Sequence, residues 1–410
     1  TWLVAVSYAI FGEGLSSARI PTVMLEAFIA LILFFWVRRE ANSLAAWLTA
    51  MLFISSPFTV EIAQFSRFYA LQNFAFVLGS ASVFYAFAGN ASAVWRILLG
   101  TTAIGLLTLA TSVQITSLVG TLGIAIWVGG LLVHRAFFCS TTRLSVRWVA
   151  AAAIVALGVV MILVASTTDV LERSFELFRR TPLHAAERAD QFWFYYLRLL
   201  LFYPTLWTLF GVLAILAIVN SPRLGWLAIA IFGLSFTVMS FAGWKATRYL
   251  SFSIPFLYIV WGMGLEQSVR LLRRHVIAIH MQLASRFALP ERIGLATATV
   301  SMVVATLIVI LANPFWLRTA TVIGNVALPG ETPITDWRLA RDELSSWVAD
   351  ADIMITTEEL GAIYFLGRSD VRFSPSKLNE IPRDQRFEFG IDHRTGRPII
   401  TKGESIEQLI

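Results

Sequence analysis

The sequence has little charge and almost no cysteine. Charged residues make up 14% of the 410 residues, hydrophobic residues make up 57%, and the mean hydropathy is +0.71. Because soluble domains carry about 25% charged residues, this chain cannot cover itself with a polar surface. The single cysteine, Cys139, excludes an intramolecular disulfide and cysteine-based zinc sites, and none of the five histidines falls into an HxH or HExxH pattern. No cofactor is therefore predicted, although these patterns leave a divalent metal open.

Apolar runs recur along the chain and predict a mainly α-helical, polytopic membrane bundle, because about 20 helical residues cross the hydrocarbon core. The basic residues, which give a formal net charge of +6, lie between these runs. They therefore indicate the orientation in the membrane and not a nucleic-acid partner. We predict about ten spans, at 20–37, 43–60, 69–89, 95–112, 114–133, 148–166, 192–219, 225–242, 249–265 and 293–313.

The distribution of arginine predicts which loops are cytoplasmic. The loops after residues 133 and 265 are rich in arginine, so the positive-inside rule places both in the cytoplasm. Alternation of the spans then places both chain ends on the outer side of the inner (plasma) membrane. The apolar start TWLVAVSYAIFGEGL is too short to span and is predicted to be an interfacial helix. Since no span precedes it, we expect at least one transmembrane helix and an outer loop before Thr1.

Residues 318–410 are predicted to form a small extracytoplasmic α/β domain, separate from a membrane domain at 1–317. From residue 336 the pattern gives a helix WRLARDELSSWVADA, a strand DIMIT, a helix EELGAIYFLG, a strand VRF and a hairpin FEFGID-HRTG-RPIIT. Such alternation is typical of an α/β layer. The domain has no glycine-rich phosphate loop and no nucleophile elbow, so we predict a structural or docking role for it.

Charged side chains near the outer membrane face are candidates for chemistry. A charge at the bilayer centre costs about 2.5–3.5 kcal/mol, so each such group should face a cavity or a partner. Two groups lie where predicted spans begin on the outer side, in SPFTVEIAQFSRFYALQN and in GWKATRYLSFSIP. They are Glu61, Arg67 and Tyr69 in the first stretch, and Lys245, Arg248 and Tyr249 in the second.

Arginine and lysine gathered at one face suit a phosphate, which arginine binds with two parallel hydrogen bonds. The alternative is that Arg67 and Arg248 extend along the bilayer to lipid headgroups. Glu26 and Arg198 lie inside predicted spans, where an ion pair between them is one interpretation.

Several stretches resemble the GT-C glycosyltransferases of the dolichyl-phosphate-mannose mannosyltransferase and aminoarabinose transferase type. They are ARIPTVMLEAFIALILFFWVRR, the Ser56-Pro57 pair with QFSRFY at 64–69, and WKATRYLSFSIPFLYIVWGMGL with its Arg-Tyr-Leu run. The segment ITDWRLARDELSSWVADADIMITTEELGAIYFLGR is similar to the extracytoplasmic domain of bacterial members. The resemblance covers nearly the whole chain in order.

The resemblance implies an inverting transfer of a sugar from a polyprenyl-phosphate donor to a lipid, glycan or protein acceptor on the outer side. Arginine or lysine would hold the donor phosphate, and a carboxylate would act as general base on the acceptor hydroxyl. In the family that acid lies in the first outer loop, which would precede Thr1. Glu61 is the candidate within this sequence, either as base or as a partner of Arg67.

Two rival functions remain open from the sequence. A transporter or flippase for a lipid-linked saccharide would also need charged groups facing a cavity. The absence of paired repeats or broken helices in corresponding halves, and the attached outer domain, argue against it. The chain could also be an inactive fragment that keeps only lipid binding. The sequence does not identify the sugar, the acceptor or the polyprenyl lipid.

Overall fold

The structure is a computed structural model of the chain. It describes residues 2–65, 67–90, 92–138, 192–243, 245–287, 290–324, 326, 337–374, 390–391, 396–400 and 406. These residues divide into two compact units, one ending at Gly324 and one formed from later residues.

The first unit is helical throughout its described part. Its helices are α1 (Trp2–Phe11), α2 (Leu15–Glu40), α3 (Ser43–Ile54), α4 (Pro57–Gln64), α5 (Tyr69–Phe87), α6 (Ala93–Val113), α7 (Ser117–Phe138), α8 (Phe194–Phe202), α9 (Pro204–Thr208), α10 (Phe210–Asn220), α11 (Pro222–Phe241), α12 (Ile254–Arg286), α13 (Glu291–Leu311) and α14 (Phe315–Ile323). The predicted helix at the start of the chain is confirmed as α1, while its position at the membrane interface stays a prediction.

Six helices of the described residues are long and apolar enough to cross a membrane: α2, α5, α6, α7, α11 and α13. A seventh crossing is reached if α3 and α4 form one bent span. The chain is therefore a multi-pass membrane protein. The predicted number of about ten spans is not reproduced by these residues, and the predicted span at 148–166 lies outside them.

Two predicted spans are broken helices. The predicted span 43–60 consists of α3 and α4, which are bent by 53°. Proline has no backbone N–H, so Pro57 suits the first position of a new helix, and the Ser56 hydroxyl caps that helix by accepting from the Phe58 N–H at 3.1 Å. The predicted span 192–219 divides in the same way at Tyr203, before Pro204, and again at Leu209.

The predicted span 249–265 does not coincide with the helix that contains most of it. Residues 247–249 form a 3-10 turn, and α12 starts only at Ile254. The helix then continues for 33 residues through most of the predicted loop 266–292. Its polar half contains leucine, arginine, glutamine and alanine and no glycine or proline, so the helix has no reason to end where the chain becomes hydrophilic.

The core of the first unit surrounds the apolar half of α12. Phe256, Leu257, Tyr258, Ile259, Val260 and Trp261 are fully buried there. This half packs against α3 and α10. At Gly264 an added Cβ would lie 2.5 Å from the Leu213 carbonyl oxygen, so the glycine allows close approach of α10 and α12.

The second unit contains the predicted alternation of helices and strands. Its elements are α15 (Trp337–Asp350), β1 (Ile355–Thr356), α16 (Glu359–Leu366), β2 (Val371–Phe373), β3 (Gly390–Ile391) and β4 (Pro398–Ile400). The sheet order is β1-β2-β4-β3, with β1, β2 and β4 parallel. Strand β3 pairs antiparallel with β4, with Gly390 opposite Ile399, which confirms the predicted hairpin.

The predicted division of the chain at residue 317 stays a prediction. Helix α14 begins at Phe315 and packs with the first unit, where the Thr319 hydroxyl donates to the Ser55 carbonyl oxygen at 2.6 Å. The residues immediately after 317 therefore contact the membrane helices.

Candidate functional site

The turn between α11 and α12 carries one of the two predicted groups of polar side chains. The turn is held by Tyr195 on α8, whose hydroxyl donates to the Ala246 carbonyl oxygen at 3.1 Å. Lys245 is only 4% exposed, and its ammonium donates to the Ala242 carbonyl oxygen at 2.7 Å. Lys245 thus caps the end of the preceding helix, and its predicted role in phosphate binding stays a prediction.

The junction of α4 and α5 carries the other group. The exposed Arg67 lies over the ring of Phe65, with its guanidinium carbon 4.7 Å from the ring centroid. Phe65 in turn stacks on Tyr69 at 6.1 Å between ring centroids. Tyr69 begins α5 and is 3% exposed, so this junction consists of a buried tyrosine beneath an exposed arginine.

The structure brings the two groups together. Arg248 interacts electrostatically with Tyr69 and Tyr249, and Tyr69 also interacts electrostatically with Arg67. Burial alone would lower the pKa of Arg248, but its interactions with Tyr249 and Tyr69 leave that pKa raised. We call Arg67, Tyr69, Arg248 and Tyr249 the arginine–tyrosine cluster. Its residues come from two segments separated by more than half of the membrane unit.

Arg248 is not fully paired within the cluster. Its Nε atom is buried and has no hydrogen-bond partner among the residues that the structure describes. Its guanidinium carbon lies 5.3 Å from the centroid of the Tyr249 ring, which holds the group by its flat face. A guanidinium with a buried unused donor is suited to an additional acceptor such as a phosphate oxygen.

A chain of buried polar groups runs from the cluster into the bundle. The Ser251 hydroxyl lies 2.8 Å from the Arg248 carbonyl oxygen and donates to Asn73 Oδ1 at 3.0 Å. Asn73 Nδ2 then donates to Glu26 Oε1 at 3.1 Å. Glu26 is 4% exposed, and its Oε2 has no hydrogen-bond partner in the described part of the chain. We call Ser251, Asn73 and Glu26 the buried polar chain.

The predicted ion pair between Glu26 and Arg198 was wrong. The carboxylate of Glu26 contacts Asn73 instead, and Arg198 lies with its guanidinium carbon 5.6 Å from the Phe194 ring centroid. Sequence analysis missed Asn73, although it follows Tyr69 by one helical turn and therefore faces the same side of α5. Ser251 carried no signal in the sequence beyond its place in the turn.

Glu61 lies on α4 with its side chain exposed. Its predicted roles, as general base or as partner of Arg67, stay predictions. Among the described residues, no group of three His, Cys, Asp or Glu side chains could hold a metal ion. The site therefore offers cations and phenols for an anionic ligand, with a carboxylate nearby in the chain.

Comparison with known proteins shows a structural similarity only. No protein-family model matches the chain, and no curated protein sequence matches it. Two crystal structures of ArnT from Cupriavidus metallidurans are similar to it at 16% sequence identity, each covering 91% of this chain and 74% of ArnT. The TM-score is 0.55 for the apo state and 0.58 for the structure bound to undecaprenyl phosphate. The chain thus has an ArnT-like polytopic membrane fold.

Proposed function

We propose that this chain is a membrane glycosyltransferase that moves a sugar from a polyprenyl-phosphate donor to an acceptor on the extracytoplasmic side of the plasma membrane. The observation that carries the proposal is the arginine–tyrosine cluster, which offers two guanidinium groups beside a buried tyrosine. The ArnT-like fold supports it, because one of the two ArnT structures is bound to undecaprenyl phosphate, which is a polyprenyl phosphate.

In this proposal the arginines hold the phosphate of the donor. Arg248 is oriented by Tyr69 and Tyr249 and has a buried Nε donor, and Arg67 brings a second positive charge to the same tyrosine. When the acceptor oxygen attacks the sugar carbon, the bond from that carbon to the phosphate oxygen breaks. Negative charge then grows on the departing phosphate, where guanidinium groups stabilise it most.

The acceptor hydroxyl must lose its proton during this attack, which requires a general base. Glu61 is the candidate for this base within the chain. The acceptor would be a lipid, a glycan or a protein.

The test is a transfer and binding assay on the full-length protein in detergent, with labelled polyprenyl-phosphate sugars. A charge-assisted contact contributes roughly 1.5–3 kcal/mol, so Arg248→Gln and Arg67→Gln should each weaken donor binding about tenfold or more. Arg96→Gln is the matched control, because Arg96 is an exposed arginine at the start of α6, away from the cluster. Donor binding unchanged in both cluster variants would contradict the site assignment.

A transporter or flippase for a lipid-linked saccharide is the second candidate. The sequence argument against it relied on the absence of broken helices, and the structure contains a pair bent by 53° at Ser56 and Pro57. Discontinuous helices are common at transporter binding sites. The two functions differ in their products: a transferase releases free polyprenyl phosphate and a glycosylated acceptor, whereas a flippase moves the intact glycolipid across a vesicle membrane.

A further inference from the structure

A groove lies between α7 and α11 at the end of the bundle opposite to the arginine–tyrosine cluster. Helix α5 runs from Tyr69 in the cluster to Phe87 beside the groove, a distance of about 27 Å at 1.5 Å per residue. The groove has a volume of about 630 Å³, within the range of roughly 300–1,000 Å³ that is usual for ligand sites. It is therefore separate from the proposed donor site.

The walls of the groove are apolar and its end is basic. Ile126, Leu131, Trp226 and Ala230 line the walls, whereas Arg135 and Arg223 also face the groove. Such a combination matches a molecule with a hydrocarbon tail and a negatively charged head.

The two arginines are fixed beside each other. Arg135 Nη2 donates to the Phe87 carbonyl oxygen at 2.7 Å, and Arg223 Nη1 donates to the next carbonyl oxygen, that of Ala88, at 3.0 Å. The indole N–H of Trp127 donates to the Arg223 carbonyl oxygen at 2.9 Å, which also holds the start of α11. Because the two carbonyl groups are consecutive, the two positive charges are held close together.

Negative charge from nearby groups acts on these arginines. The end of α5 contributes a partial negative charge to both arginines. Glu40 interacts electrostatically with Arg223 and with Arg39, and Arg39 lies over the ring of Tyr85 at 4.7 Å. A guanidinium has five N–H donors, so the bond to the Ala88 carbonyl oxygen positions Arg223 and leaves further donors for a phosphate.

We propose that this groove binds one anionic glycerophospholipid, with its phosphate between Arg135 and Arg223 and an acyl chain along α7 and α11. Basic pockets between membrane helices are a common form of site for anionic lipid headgroups. The lipid phosphate would link α7 to α11 by contacting one arginine from each helix. This proposal is independent of the transfer reaction.

The headgroup is tested by native mass spectrometry of the full-length protein in detergent, titrated with palmitoyl-oleoyl phosphatidylglycerol or with the matching phosphatidylcholine. The double variant Arg135→Gln, Arg223→Gln keeps N–H donors for the two carbonyl groups and removes both charges. We expect it to bind phosphatidylglycerol at least about tenfold more weakly than wild type. Arg96→Gln, at an exposed arginine outside the groove, should bind phosphatidylglycerol as wild type does.

The tail is tested by filling the groove while both arginines stay in place. Gly129 and Gly130 are neighbours on α7, and a Cβ at either would have no described atom within 4 Å, but only Gly130 lines the groove. Gly130→Leu should therefore reduce phosphatidylglycerol binding as strongly as the double arginine variant, and Gly129→Leu should not.

Three results would overturn the proposal. Equal binding of phosphatidylcholine and phosphatidylglycerol to wild type would mean unselective lipid contact. Unchanged binding in the arginine variant would remove the headgroup site. Loss in the arginine variant with full binding in Gly130→Leu would mean a surface contact with the headgroup and no tail in the groove. If the arginine variant does not fold, the two glycine variants still test the proposal, because both keep the bonds from the arginines to the carbonyl oxygens. Equal phosphatidylglycerol binding by Gly130→Leu and Gly129→Leu would then reject the groove as the site.

Discussion

Glu61 is an exposed carboxylate on the short helix that precedes Arg67 and Tyr69. Its two proposed roles give different kinetics in the variant Glu61→Gln. As a general base, its loss would lower the transfer rate by about 10²–10⁴ while donor binding is kept. As a partner that orients Arg67, its loss would mainly weaken donor binding. We expect the second result, because Glu61 lies on the short helix that leads directly to Arg67.

The measurement is the transfer rate at saturating donor together with a separate donor dissociation constant. Glu13→Gln serves as control, since Glu13 is an exposed acid in the short link between α1 and α2. A large loss of rate with unchanged donor binding would instead make Glu61 the base.

We predict that Glu26 affects donor binding indirectly. Its carboxyl group holds Asn73, which holds Ser251 in the turn that carries Arg248. Glu26→Gln keeps an oxygen acceptor for the Asn73 amide and should bind donor about as wild type does. Glu26→Ala leaves the buried amide unpaired, which costs about 1–3 kcal/mol. We therefore expect a lower melting temperature and weaker donor binding in Glu26→Ala, measured by thermal unfolding in detergent and by donor titration.

Ser82→Ala is the matched control for this variant. Ser82 is buried on the same helix, α5, but its hydroxyl donates only within that helix, to the Leu78 carbonyl oxygen at 2.8 Å. Weak donor binding in Glu26→Gln as well would show that the negative charge matters, and not the hydrogen bond.

The arginines of the site could be identified from the sequence because charges beside apolar spans are rare and costly. Their partners could not. The pairing of Glu26 with Asn73 depends on how α2 and α5 face each other, and nothing in either span specifies that rotation. An ion pair between Glu26 and Arg198 would also have avoided the cost of an unpaired charge in the membrane, but the structure pairs Glu26 with Asn73.

Two glycines on the membrane helices differ in the space around them, and this difference predicts the effect of replacing each with alanine. In Gly264→Ala the new methyl group would meet the Leu213 backbone at 2.5 Å, so α10 and α12 must separate. In Gly233→Ala, on α11, the methyl group would have no described atom within 4 Å, and alanine favours the helix by about 0.8–1.0 kcal/mol. We expect the melting temperature to fall in the first variant and to stay the same or rise in the second.

The outcome that contradicts this packing is equal thermal stability of the two variants. Both replace a helical glycine with alanine, so they differ only in the space around the added carbon.

Helix positions were predictable from hydrophobicity, but helix breaks were not. The Ser56-Pro57 pair lies inside an apolar run, which predicts one span, although proline at a first helical position and a serine cap mark a helix start. The charged residues after 265 do not end α12, because the residue types there support a helix. The limits of a membrane crossing therefore do not set the limits of a helix.

For the whole molecule, the predicted topology places residues 266–292 in the cytoplasm and the C-terminal unit outside. It can be checked with Cys139→Ser as background and one new cysteine at a time. The membrane-impermeant maleimide should label Ser346→Cys, an exposed position on α15, in intact cells. It should label Ser285→Cys, exposed near the end of α12, only after the membrane is opened. Labelling of both in intact cells would reject this topology.

Helix α12 begins directly after the turn that carries Arg248 and Tyr249 and continues without a break to Arg286. Its 33 residues extend about 50 Å, whereas the hydrocarbon core is about 30 Å thick. In the predicted topology, in which α12 crosses the membrane, about 20 Å of this helix would extend beyond the hydrocarbon core. Because the helix is fixed at its buried half, a small tilt at one end gives a larger displacement at the other. In that topology a probe at Ser285 would report, from the other side of the membrane, whether a ligand has moved the turn at Arg248.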